Sequence, residues 1–277
     1  MKKLLFVSCL LIFMQAVHAQ SFSIDNVRKA ALRTSDAIKE GTDVKGYYIF
    51  YVSDKIDKRT NEYTLRILDN NLKVLKDIKF QDSKDVTILE SSFNGTDLIF
   101  LLYNEKEKTF EYQVYGADGN KKPYSYIREL TKKEKRYLEM TYLSIQDDEQ
   151  TYKGLYPVEG KGFISNMPSR EDRDYTFQID YFSTEKKKQW TYTPTEGGKR
   201  FIGDYLGTFN GTVYFEVLRY GGAFDQKPDS YILGLSLETG KKLFEKPTDS
   251  KYRFYPASLS VMNGGKAYLY GEFFDVD

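Results

Sequence analysis

Cysteine and histidine, the side chains best suited to nucleophilic attack, proton transfer or zinc ligation at neutral pH, each occur once in this 277-residue chain, as Cys9 and His18. Both lie in a segment with the layout of a secretory signal. Lys2 and Lys3 form a basic start, Leu4 to Met14 an apolar stretch, and Val17-His18-Ala19 a small-residue cleavage site before Gln20. The apolar stretch is too short for a membrane span, which needs about 20 residues. Phe6-Val7-Ser8-Cys9 is a poor lipobox, so the segment reads as a cleaved leader rather than an outer-membrane lipoprotein anchor. Cleavage leaves a chain with neither thiol nor imidazole. Serine–histidine and cysteine–histidine nucleophiles, zinc sites of His and Cys, and disulfides are then all excluded.

Carboxylates remain as the possible catalytic groups. Glycoside hydrolysis needs two of them flanking one bond, a proton donor and a base or nucleophile. The chain has 40 acidic residues and no spacing that singles out a pair. Glu171, Asp172 and Asp174 cluster in one stretch, as do Asp54 and Asp57 in another. Interleaved with Arg170, Arg173, Lys55, Lys58 and Arg59, they read as solvated hairpin tips. Asp118-Gly119-Asn120 carries too few carboxylates for a calcium loop and closes a hairpin more simply. No Gly-rich phosphate loop precedes a helix. No catalytic, metal-binding or cofactor-binding residue is assigned, and no cofactor is expected.

Charge points the same way. Basic and acidic residues stand at 41 and 40, and the leader removes two lysines, so no basic face for nucleic acid is expected. Lys186-Lys187-Lys188 and Asp147-Asp148-Glu149 read as solvated turns. No later stretch is long and apolar enough to span a bilayer.

The elements that must position any site repeat. Glu40-Gly41-Thr42, Phe93-Asn94-Gly95-Thr96, Glu159-Gly160, Phe209-Asn210-Gly211-Thr212 and Met262-Asn263-Gly264 each precede an apolar run, at intervals of about fifty residues with a longer one before Gly160. Asn-Gly between apolar runs is the strongest short hairpin signal. Because they fall on this turn, the two Asn-Gly-Thr sequons are assigned to backbone geometry. After each turn comes a continuous apolar strand: Tyr47 to Val52, Leu98 to Tyr103, Gly162 to Ile164, Val213 to Leu218, Ala267 to Tyr270. A polar loop follows, then an alternating strand whose inward sets are Tyr63/Leu65/Ile67, Phe110/Tyr112/Val114, Tyr175/Phe177/Ile179 and Tyr231/Leu233/Leu235. Thr64, Arg66, Glu111, Gln113, Thr176 and Gln178 point the other way. A second turn (Asp69-Asn70-Asn71, Asp118-Gly119-Asn120, Thr184-Glu185, Thr239-Gly240) and a short fourth strand complete each unit.

Such a unit has the size and strand count of a propeller blade. The chain reads as all-β, a β-propeller-like array of about four complete four-stranded antiparallel blades and a partial fifth. A two-sheet β-sandwich is the alternative. In the longer interval, Thr131-Lys132-Lys133-Glu134 has capping-box spacing and predicts a short helix over Lys132 to Thr141 that caps or bridges blades. The fifth unit stops after one strand, Lys266 to Phe274. Either the chain is a C-terminally truncated product, the reading preferred here, or Val27 to Leu32 completes the last sheet. The domain layout is thus 1–19 signal peptide and 20–277 propeller-like domain.

Three stretches resemble a family of exported proteins of the Bacteroidota type, a domain of unknown function with propeller-like repeats: Ile24-Asp25-Asn26-Val27, Gly46-Tyr47-Tyr48-Ile49-Phe50-Tyr51 through Ser53-Asp54-Lys55-Ile56-Asp57-Lys58, and Ile67-Leu68-Asp69 with Leu72. The resemblance implies the fold and a longer parent chain. It implies no activity, ligand or catalytic residue.

The function expected is that of an exported, non-enzymatic binding or scaffold protein for a protein or glycan ligand, secreted or periplasmic. The alternative is a carboxylate-dependent glycan-processing enzyme or an inactive remnant of one. The interaction face is expected on the longer loops at Asp54 to Asn61, Asn104 to Thr109, Pro168 to Asp174 and Gly221 to Ser230. Tyr220-Gly221-Gly222-Ala223-Phe224 reads as a loop tucked down by its aromatics, and Trp190 as an outer-strand packing residue.

Overall fold

A computed structural model describes residues 23–143, 153–185, 188–222, 224–248, 252–262 and 266–275. The leader, Asp147 to Glu149, Lys186 and Lys187, and the turn at Asn263 and Gly264 lie outside the described residues.

Strands β1 (Lys29–Glu40), β2 (Asp43–Lys55), β3 (Thr60–Asp69) and β4 (Val74–Ser83) form the first antiparallel meander, or blade 1. Blade 2 is β5 (Val86–Phe93), β6 (Asp97–Asn104), β7 (Thr109–Gly116) and β8 (Lys121–Glu129). Blade 3 is β9 (Leu155–Val158), β10 (Gly162–Glu171), β11 (Asp174–Ser183) and β12 (Lys188–Tyr192). Blade 4 is β13 (Arg200–Phe209), β14 (Thr212–Tyr220), β15 (Asp229–Ser236) and β16 (Lys242–Pro247). A last hairpin pairs β17 (Tyr252–Met262) with β18 (Lys266–Asp275). The strand pairing between blades 3 and 4 is a single parallel bridge, Tyr175 with Arg200.

The protein is therefore all-β with a propeller-like succession of blades, not a two-sheet sandwich. Three apolar clusters fill the space between successive blades. One joins Tyr48, Phe50 and Leu65 to Leu98 and Phe100; the next joins Leu101, Phe110 and Tyr112 to Phe163 and Met167; the third joins Ile164, Phe177 and Ile179 to Val213, Phe215 and Leu233. Blades 2 and 3 are each packed between two of these clusters. Thr64, Gln113 and Thr176 do point opposite to the inward set, yet they are buried as well. Their polar groups are matched rather than hydrated: Thr64 donates to Ser53 Oγ at 2.9 Å, and Thr176 to the Pro194 carbonyl at 2.7 Å.

The two identical Phe-Asn-Gly-Thr strings fold differently. Around Phe209 and Thr212, Asn210 and Gly211 both take positive φ, 47° and 73°, as a two-residue hairpin turn of type I′ requires. In the earlier copy only Gly95 does, at 95°. There Asn94 is buried, its Oδ1 accepts from the Thr96 and Asp97 amides, and its Nδ2 donates to the Gly162 carbonyl of blade 3 at 3.3 Å. Both sequons thus serve turn geometry.

Helix α1 (Lys132–Leu138) starts where the capping box places it. Thr131 Oγ1 accepts from the Glu134 amide and the Glu134 carboxylate from the Thr131 amide. It stops earlier than expected, because residues Glu139–Leu143 wind into a π-helical turn. Val27 to Leu32 does not serve the last sheet: within it, Lys29 and Ala30 pair with Val52 and Tyr51 of blade 1.

First strands carry a feature absent from the sequence reading. In β5, β13 and β17 one extra residue (Leu89, Leu206, Ala257) interrupts the register with the second strand, and in β1 the interruption spans Ala30 to Ser35. β1 adjoins β5, β5 adjoins β9, and β13 adjoins β17. Bulges there re-aim side chains along the inner edge of the array.

Candidate binding face

Strand direction divides the array into two rims. One carries the turns between first and second strands and between third and fourth. The other carries the second-to-third-strand loops and every inter-blade connection, including α1. Three of the four expected long loops are short. β2 and β3 extend to Lys55 and from Thr60, β6 and β7 to Asn104 and from Thr109, and β10 and β11 pair up to Glu171 and Asp174. Their polar residues are strand ends that project past the core, so polarity gave a false impression of length. Only the loop after Tyr220 is long.

That loop also departs from expectation. Phe224 is 97% exposed instead of tucked down, while Tyr220 lies against the Arg200 guanidinium, 4.3 Å from its ring centre. Asp225 holds the turn by accepting the Gly221 amide at 2.8 Å. Trp190 does pack: it is buried on β12, donates from Nε1 to the Leu237 carbonyl at 2.7 Å and lies beside Tyr181.

The acidic residues of these clusters differ in their surroundings. Asp57 is an exposed hairpin tip that accepts the Arg59 and Thr60 amides at 2.6 and 2.8 Å. Asp118 likewise closes its hairpin, accepting the Asn120 amide. Asp174 is not a solvated tip. It is buried and gathers the backbone amides of Glu196, Gly197, Gly198 and Lys199. Burial pulls its carboxyl up, but these four donors pull harder and leave it below its ordinary value.

Three clefts open on the loop-and-connection rim. Between blades 2 and 3, one is lined by Arg128, Glu129, Arg170 and Glu171, where Arg128 pairs with Glu134 at the start of α1. A neighbour is lined by Lys133, Glu171, Asp172, Arg173 and Asp174. Both mix the two charge signs. The third, between blades 1 and 2, has Arg28, Lys29, Lys55 and Lys84 on its wall and no acidic residue.

Deeper in the array lie carboxylates that sequence reasoning missed. Glu90, 1% exposed, is re-aimed by the β5 bulge. It accepts from Tyr142 at 2.7 Å, from the Gly154 and Leu155 amides, and from Arg33 Nη1 at 3.0 Å. Burial raises its carboxyl against the pull of these donors. Asp204 and Glu216 stand opposite each other on β13 and β14. Burial pushes Glu216 up to about 7, with Ser230 pulling it down and Asp204 adding to the rise. Asp204 reaches open space, yet the protein crowded around it still raises its carboxyl. A signal was present for each: a lone acid inside an apolar run, as in Thr87-Ile88-Leu89-Glu90 and Tyr214-Phe215-Glu216-Val217.

Chemically, Glu90 is engaged by donors on every side and has no role to spare. Asp204 and Glu216 are adjacent on one sheet face and line none of the three clefts. Among the described residues, no group of three or more His, Cys, Asp or Glu is placed to hold a metal ion. No helix among them is long and apolar enough to cross a membrane.

Among solved structures, the β-propeller domain of the trilobed protease from Pyrococcus furiosus is similar over 90% of this chain and 71% of its own, at 14% identity and a TM-score of 0.45. A cobalt-substituted Synechocystis apocarotenoid oxygenase is similar at 10% identity and a TM-score of 0.40, with 87% of this chain covered. This chain spans 55% of that oxygenase, and the same share of a chimera of it at a TM-score of 0.42. No curated protein matches the sequence. A family model matches residues 1–277 from end to end, and the chain belongs to that family, the family of unknown function DUF6770.

Proposed function

We propose that this protein is an exported, non-enzymatic binding module that holds a protein or glycan ligand on its loop-and-connection rim. The observation that carries this is the placement of the clefts: all three described above open on that rim, and tight turns close the other. Rigid blades with clefts between their loops are a common way to present recognition residues. Export rests on the leader at residues 1–19 and the absence of thiol and imidazole beyond it.

Asp204 and Glu216 are the one feature that favours a second reading, a carboxylate-dependent glycan-processing enzyme, because Glu216 is poised as a proton donor near neutral pH. Long incubation with neutral and acidic polysaccharides separates the two. Retention of a polysaccharide with no new reducing ends supports the binding module. New reducing ends that vanish in Glu216→Gln and Asp204→Asn establish the enzyme.

A further inference from the structure

The cleft between blades 1 and 2 differs in kind from its two neighbours. In a chain whose charges balance, its lining holds four cations and no anion: Arg28 just before β1, Lys29 at its start, Lys55 at the end of β2, and Lys84 before β5. Arg28 stands 3.9 Å from Asp54, and Lys29, Lys55 and Lys84 make no ion pair among the described residues. Below the cations the wall is apolar, from Ala30 and Ala31 down to Phe50, Val52, Val86 and Ile88. The long interruption of β1 opens this space. Between Ala30 and Ser35 the strand leaves its register with β2, and Thr34 is turned in to donate to the backbone carbonyls of Ala31 and Phe50.

We propose that this cleft is a binding site for a small organic anion with an apolar body, of the medium-chain carboxylate class. The proposal rests on the rim reading above for its setting, and on the cleft's own lining for its ligand. Its volume is about 230 Å³. At roughly 30 Å³ for each water-sized unit, that accommodates a body of about eight heavy atoms. The apolar wall takes the chain and the cationic mouth takes the head, which no acid in the lining repels, although Asp57 stands near enough to Lys55 to share its charge.

Titration calorimetry with octanoate tests this, with acetate and octyl glucoside as probes of head alone and of chain without charge. Saturable octanoate binding is expected, at least about tenfold tighter than either control. Lys84→Glu should weaken it about tenfold and Lys55→Gln about threefold, and high salt should weaken it as well. Ala31→Phe, which fills the cleft without changing charge, should abolish it. The matched charge change Lys45→Glu on the other rim should leave it intact. The proposal falls if octanoate does not bind at millimolar concentration, if octyl glucoside binds equally well, or if folded Lys84→Glu and Ala31→Phe bind as the parent does. Octanoate binding without polysaccharide or protein capture would keep the cleft and remove the wider rim reading; capture without octanoate binding would do the reverse.

Discussion

Arg33 reaches from the first strand of blade 1 to Glu90 on the first strand of blade 2, its Nη1 3.0 Å from Oε1. The same carboxylate receives Tyr142 from the π-helical turn and the amides of Gly154 and Leu155 at the start of blade 3. One buried side chain thus joins three blades and the insertion between them. A buried carboxylate is a costly way to make such a joint unless every donor is satisfied, and here four residues supply them.

Removing it should therefore be severe. Glu90→Ala is expected to destabilise the protein by about 3–5 kcal/mol, since a half-buried cation, a buried hydroxyl and two amides lose a shared acceptor. Tyr142→Phe should cost only about 1 kcal/mol. Urea unfolding, with the midpoint falling at constant slope, measures both. A loss for Glu90→Ala no larger than for Tyr142→Phe would contradict this role.

Glu216 sets the alkaline side of stability. Its carboxyl rises from an ordinary 4.5 in the unfolded chain to about 7 in the fold, so the folded state favours the proton. The stabilisation is complete below 4.5 and disappears as pH rises through about 7. Between pH 5 and 8 the parent should lose about 1 kcal/mol, less than the full shift implies because nearby solvent screens the group. Thermal melts should show a fall of about 2–4 °C over that range. Glu216→Gln should shrink the fall; an unchanged fall would refute the assignment.

Asp174 works in the opposite direction. Its carboxyl is held below its ordinary 3.8, so its contribution is present at neutral pH and is lost as pH falls through the depressed value. Asp174→Ala should cost about 2 kcal/mol at pH 7 by leaving four amides without their acceptor. Hydrogen exchange at Glu196 to Lys199 should accelerate selectively. Protection unchanged there would show that the loop holds itself.

The start of α1 is a smaller, separable joint. Thr131→Ala should cost about 1 kcal/mol, and Thr131→Ser should restore most of it. A larger loss would point to disruption of the Arg128, Glu134 and Ser169 network beneath the helix.

Much of the fold was legible because two local signals agree: positive-φ turn residues recur at blade length, and strand periodicity changes in the same order within each unit. The capping box placed α1 for the same reason, since Thr131 and Glu134 act within four residues. What escaped depends on long-range packing. Thr64 and Thr176 alternate like solvent-facing residues yet are buried, Thr64 bonded to Ser53 of the adjacent strand and Thr176 to Pro194 of the connection that follows blade 3. Asp174 resembles its exposed neighbours Glu171 and Asp172 until the connection to blade 4 folds over it. The basic cleft joins Lys29 and Lys55 of two strands to Lys84 of the connection between blades, which no spacing along the chain announces. Glu90 and Glu216 were detectable in principle as single charges in apolar runs.

The proposed function assigns ligand binding to one rim and none to the other. Its most direct measurement compares the retention of envelope polysaccharides and peptides by two folded block variants of the mature chain. Alanine at Arg59, Lys106, Arg173 and Phe224 should abolish retention, whereas alanine at Asp43, Lys45, Asn71 and Lys241 should leave it unchanged. Loss confined to the second block, with the first retaining ligand fully, would contradict the account.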